Sequence, residues 1–254
     1  MSPTGGTIHE QVLKLSGSTS PIHIGILETP TGFEVNALHA WPERMEDFFA
    51  KRLHNYKPVI TRIHAWKKDA ASRGTNNPAN AEKLNGLDYL YCGAGSPSYT
   101  VKHLGGSRVY QAMCEALKAG TTLCLGSASA VAVGALAIPV YEIYKSGEDL
   151  HWIRGLNLFS SLGIDNLVIV PHWNNQEGED FDTTYCWMGK ARFAVLEQQL
   201  PKGITIIGID EQTACIVDSQ CKTALVSGIG TVVVIGSKGT KTYQTGDTIP
   251  LLRL

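Results

Sequence analysis

The sequence has no surplus of either charge: 22 Lys and Arg stand against 23 Asp and Glu in 254 residues, a formal net charge of −1. A protein that neutralises a phosphate backbone needs a basic excess, so nucleic acid is not an expected partner. Long apolar runs are also lacking, since no stretch approaches the ~18 residues of a membrane span. The segment 1–20 is rich in Gly, Ser and Thr and has no apolar core of a secretory signal. No membrane association is expected, and the expected compartment is the cytoplasm. The six cysteines, Cys92, Cys114, Cys124, Cys186, Cys215 and Cys221, form no C-x-x-C pair, and no histidine stands at zinc-ligand spacing. They read as buried free thiols, with no metal and no cofactor expected. Internal repeats are absent as well, and so is any linker long enough to separate domains.

What is present is enough apolar material for a sizeable core, 43% of the residues. One α/β domain over residues 21–254 is expected, after a flexible segment over 1–20. Apolar runs at residues 22–27, 59–63, 87–92, 122–125, 167–170 and 204–209 read as buried strands. Helical spacing marks residues 40–53, where Trp41, Met45, Phe48, Phe49 and Leu53 recur with acids early and Lys51 and Arg52 late. Further helices are expected at 79–84, 109–118, from 130, and at 191–200. Such alternation implies βαβ units on a parallel sheet covered on both faces. The predicted class is therefore three-layer and doubly wound, with a mostly parallel, flavodoxin-like sheet. Beyond Ala214 the period changes to two with Gly-rich turns, which predicts an antiparallel C-terminal extension.

In open α/β sheets, ligands collect beyond the carboxyl ends of the strands, so four loops matter most. The first, from Gly93 to Pro97, offers Gly95 and Ser96 as places where backbone N–H groups can approach an oxyanion, or simply a βα turn. The second, Gly126-Ser127-Ala128-Ser129-Ala130, runs from a strand into a small-residue helix, the geometry of a nucleophile elbow. That turn needs small residues two before and two after its centre, and Gly126 and Ala130 fit a centre at Ala128, which has no nucleophilic atom. Ser129 is the best remaining hydroxyl by this rule, with Ser127 and Ser129 as helix caps the plain alternative. The third loop, Pro171 to Asn175, places His172 at a strand end beside Asn174 and Asn175, a good position for a base. In the fourth, Asp210 and Glu211 are expected to serve the backbone. Between these loops, Glu142, Lys145 and His151 form a polar stretch, from which Glu142 is the chosen partner to fix the His172 tautomer. Glu177 belongs to an acidic loop able to cover the site.

Taken in order, these landmarks resemble the dipeptidase E and cyanophycinase family of serine peptidases, in the class I glutamine-amidotransferase-like fold. The likeness spans about residues 22–218. It rests on LDYLYCGAGSP at 87–97, the elbow at 125–133, GLNL at 155–158, VIVPH at 168–172 and GIDEQTA at 208–214, the last very like the family's G-I-D-E-x-T-A. The resemblance implies hydrolysis of peptide or isopeptide bonds next to acidic residues, with His172 as base, Glu142 as acid and oxyanion donors near Gly95 and after the elbow. The family reads G-x-S-A-G at the elbow, so Ala128 stands in the nucleophile's place. An engineered Ser-to-Ala change, a lineage that lost the chemistry, or a shifted register that lets Ser129 act would each account for it. The expected function is a serine-type hydrolase of a small peptide or amide. The alternative is an inactive relative that binds a small polar ligand such as an amino acid or peptide. A homodimer is expected, because such family members are often dimers and the strands from 223 onward offer edges to cover.

Overall fold

The computed structural model describes residues 3–36 and 40–253. Contacts gather the chain into two compact units, one of residues 9–129 and one of residues 130–253 together with residues 3–8.

The chain opens with α1 (Pro3–Leu15), in the segment expected to be flexible. The spacing of His9, Val12 and Leu13 accounts for it: these positions share a helix face, and Leu13 is fully buried. The strands β1 (His23–Leu27), β2 (Val59–Ile63), β3 (Tyr89–Cys92) and β4 (Thr122–Leu125) form a parallel sheet in the order β2-β1-β3-β4. That is the strand order of a flavodoxin-like half, as the alternation predicts. Ile24 and Ile26 alternate along β1, and with Ile22 they pack against Met45, Phe49 and Leu53 around α2 (Ala40–Arg52). Burying each such side chain contributes about 1.5–3 kcal/mol. The short α3 (Pro78–Glu82) begins with the Asn77 side chain accepting from Ala79 N–H. After β3 the chain enters α4 (Pro97–Leu104), which is not among the helices expected from the sequence. Its start is well specified, since Ser96 caps the Tyr99 N–H and Pro97 occupies the first turn. The amphipathic α5 (Arg108–Lys118) then leads to β4, and β4 turns directly into α6 (Ala128–Ala132).

In the second unit, β5 (Leu136–Ala137), α7 (Val140–Tyr144) and β6 (Ile153–Arg154) precede β7 (Leu167–Val170). The crossover through α8 (Gly189–Gln198) sets β8 (Thr205–Ile209) parallel to β7, with Val170 opposite Gly208. After β9 (Thr213–Asp218) and β10 (Thr223–Gly228), the chain adds β11 (Val232–Gly236) antiparallel to β8, then β12 (Gly239–Tyr243). The result is a mixed sheet in the order β12-β11-β8-β7, while β13 (Thr248–Pro250), β10 and β9 form a separate antiparallel sheet. The antiparallel C-terminal extension is thus as the period-two pattern predicts. Ile169, Ile207, Val226, Val232, Val234 and Ile249 sit in the core of this unit.

The cysteines are all free, but burial does not extend to every one: Cys92 and Cys186 are buried and Cys221 is exposed. Among the described residues, no helix is long and apolar enough to cross a membrane.

Candidate active site

Two constellations are candidates for the site, one in each unit. The first is the turn out of β4. Pairing with β3 continues one residue past the strand, through Gly126 N–H to the Cys92 carbonyl at 2.9 Å. The next residue, Ser127, has φ 52°, a left-handed backbone outside glycine, and α6 starts immediately after it. A strained left-handed residue at a sharp strand-to-helix turn is what a nucleophile elbow requires of its centre. Ala128 and Ser129 follow it inward and are 2% and 1% exposed. The Ser129 hydroxyl donates to the Gly93 carbonyl at 2.7 Å and lies 3.2 Å from Cys92 Sγ, so it ties the glycine loop to the elbow.

That loop has no room for a side chain at either of its glycines. A Cβ on Gly93 would come 2.7 Å from the Trp41 ring, and one on Gly95, whose φ is 143°, only 1.9 Å from the Pro30 carbonyl oxygen. Ser96 donates its N–H to that same carbonyl and spends its hydroxyl on the α4 cap, so its part is structural. Neither cysteine near the elbow is a thiolate at neutral pH, because burial pushes Cys92 up to about 12 and Cys124 up to about 11.

The second constellation surrounds His172, the second residue after β7. Its φ is 53°, and its Nδ1 lies 2.9 Å from Glu211 Oε1. Glu211, not the expected Glu142, is thus the acid at this nitrogen, and the parallel register explains why. Val170 pairs with Gly208, so the residues two and three positions further on leave the sheet side by side. Asn175, 1% exposed, donates from Nδ2 to the same Glu211 oxygen at 2.7 Å, and Asn174 Oδ1 accepts the Glu211 N–H at 2.9 Å. Burial pushes the Glu211 carboxyl upward, but hydrogen bonds from Asn175 and His172 and the His172 charge outweigh it, and the group is held below its ordinary value. An ionised carboxylate only accepts, so Nδ1 carries the proton and Nε2 is left as the basic nitrogen.

The GIDEQTA segment divides its labour residue by residue. A Cβ on Gly208 would come 2.4 Å from the Trp173 ring, so glycine is required there. Asp210 accepts from the Thr231 N–H and hydroxyl, both at 2.8 Å, which clamps β8 to the approach of β11 and is the structural duty expected of it. Thr213 accepts from Gly230 N–H, and Glu211 is left to the histidine.

Glu142 is partly buried in α7, Lys145 lies over the Tyr144 ring at 4.8 Å, and His151 bonds the Asp149 carbonyl at 2.8 Å. Glu177 is exposed and gives its N–H to Asn175 Oδ1. Glu211 is visible in the sequence as half of an acidic pair within the GIDEQTA segment but without a link to His172, and Trp187, whose ring stands 4.7 Å from that of His172, carries no sequence signal beyond being aromatic.

No family model and no curated protein sequence matches the chain. Among solved structures it is similar to a peptidase from an acI-B1 Actinobacterium, with a TM-score of 0.75 and 19% identity over 98% of this chain and 91% of that one. It is also similar to a protein of Listeria monocytogenes EGD-e described as a candidate Peptidase E, with a TM-score of 0.52 and 13% identity over 93% of each chain. These likenesses establish the fold, a mixed α/β architecture shared with peptidases.

Proposed function

We propose that the chain is a serine-type hydrolase of a small peptide or amide, with Ser127 as nucleophile, His172 as general base and Glu211 as the acid behind it. The observation that carries the reading is the left-handed conformation at Ser127. It moves the elbow's centre one residue ahead of Ala128, and it leaves Ser129 a different duty, the buried bond to Gly93. The inactive-binder alternative takes its motive from Ala128 at the centre, and this register removes that motive.

In the family mechanism that the resemblance implies, a histidine takes the proton from the serine hydroxyl as the oxygen attacks the substrate carbonyl. Glu211 holds the Nδ1 proton and stabilises the imidazolium that forms. Backbone N–H groups of the residue after the nucleophile and of the Gly93–Gly95 loop are the proposed donors to the tetrahedral oxyanion. His172 then returns its proton to the leaving amine, and water repeats the sequence on the acyl-enzyme. The test is hydrolysis of a set of short peptides by the wild-type chain and by Ser127→Ala. Activity in the wild type that disappears in the variant supports the assignment, and activity that persists in Ser127→Ala overturns it.

A further inference from the structure

We infer that Trp187 is a positioning residue for the histidine base: a left-handed turn over Tyr185–Trp187 carries its indole against His172 and keeps the ring's Nδ1 on Glu211. The inference deepens the proposed mechanism and rests on it only for its kinetic consequence. The backbone supplies the first argument. Tyr185, Cys186 and Trp187 have φ of 55°, 57° and 65°. Left-handed residues other than glycine are uncommon and occur singly, so a run of them persists only where the surroundings impose it.

Those surroundings are specific. Tyr185 stacks on Phe193 at 4.7 Å and meets Trp173 edge-on at 4.4 Å, while its N–H donates to the Trp173 carbonyl at 3.0 Å. Cys186 donates its N–H to the carbonyl of His172 itself at 3.2 Å. Arg192, on α8, reaches back to the carbonyls of Met188 and Trp187 at 2.6 and 2.9 Å. The turn is therefore stapled to the His172 backbone at one end and to a helix at the other. Its product is the placement of one ring: Trp173, Tyr185 and Phe193 contact each other, whereas the Trp187 indole contacts the imidazole, tilted by 56°. A ring held there blocks rotation of the imidazole away from Glu211.

The experiment follows the His172 imidazole by 15N NMR in the whole protein, its signals identified by their loss in His172→Asn, alongside the rate of fluorophosphonate labelling. Wild type and Trp187→Phe are expected to show a single tautomer with the proton on Nδ1. Trp187→Leu, and Arg192→Met acting from a distance, are expected to show mixed tautomers and labelling slower by about tenfold or more, as for a base misplaced by a fraction of an ångström. Retention of both the single tautomer and the wild-type rate in Arg192→Met and Trp187→Leu would overturn the inference. If Trp187→Leu does not fold, Arg192→Met alone decides. Mixed tautomers in the variants of a chain that never labels would uphold the placement of Trp187 and remove the hydrolase reading instead.

Discussion

Ser129→Ala separates the two serines of the elbow by stability as well as by reactivity. The change deletes a hydroxyl that is 1% exposed and donates to the Gly93 carbonyl at 2.7 Å. Alanine fills nearly the same space, so no cavity forms, and the cost is that of a buried carbonyl left without its partner, about 1–3 kcal/mol. For a chain of this size each kcal/mol lowers Tm by about 2–4 °C, which gives a fall of roughly 2–12 °C in calorimetry. Labelling by a fluorophosphonate should survive, slowed by less than about tenfold as the loosened glycine loop places its N–H groups less well. An unchanged Tm together with complete loss of labelling would refute the reasoning, because it would make Ser129 a reactive hydroxyl and not a buried strut.

Glu211→Gln keeps the size of the side chain but removes the charge that holds the Nδ1 proton, and labelling should slow by about 10²–10⁴-fold with circular dichroism unchanged; a rate within a factor of two of wild type would contradict the acid's assignment. His9 gives a pH signature. Burial against Phe48, Phe49 and Tyr89 pushes it from 6.5 down to about 4, so the fold favours the neutral ring. Its stabilising contribution is fully present above about pH 6.5 and is lost as the pH falls toward 4, a total of about 3 kcal/mol. Urea denaturation midpoints should fall across that window in wild type and less steeply in His9→Gln; equal slopes would remove His9 as the cause.

The elements that sequence reading places best are those whose pattern is local. The strands at 59–63, 122–125 and 167–170 have the bounds that their apolar runs set. The helix α1 is less legible because Gly5 and Gly6 weaken its first turn and its burial rests mainly on Leu13. At the site, His172 is legible from its place after a buried strand. Glu211 is not, since it lies 39 residues away and reaches His172 only through the pairing of β7 with β8. The elbow's centre is ambiguous for a different reason. The rule about small neighbours favours a centre at Ala128 and disfavours Ser127, which has Leu125 two residues before it, so the choice of Ser127 rests on a backbone angle, its φ of 52°.

The central claim is that Ser127 is the reactive residue of the elbow. Its most direct test is to treat the wild-type protein with a fluorophosphonate and locate the adduct by peptide mass spectrometry. The account predicts one adduct, on Ser127, absent in His172→Ala. An adduct on Ser129, or none at a probe concentration that saturates a control serine hydrolase, would contradict it.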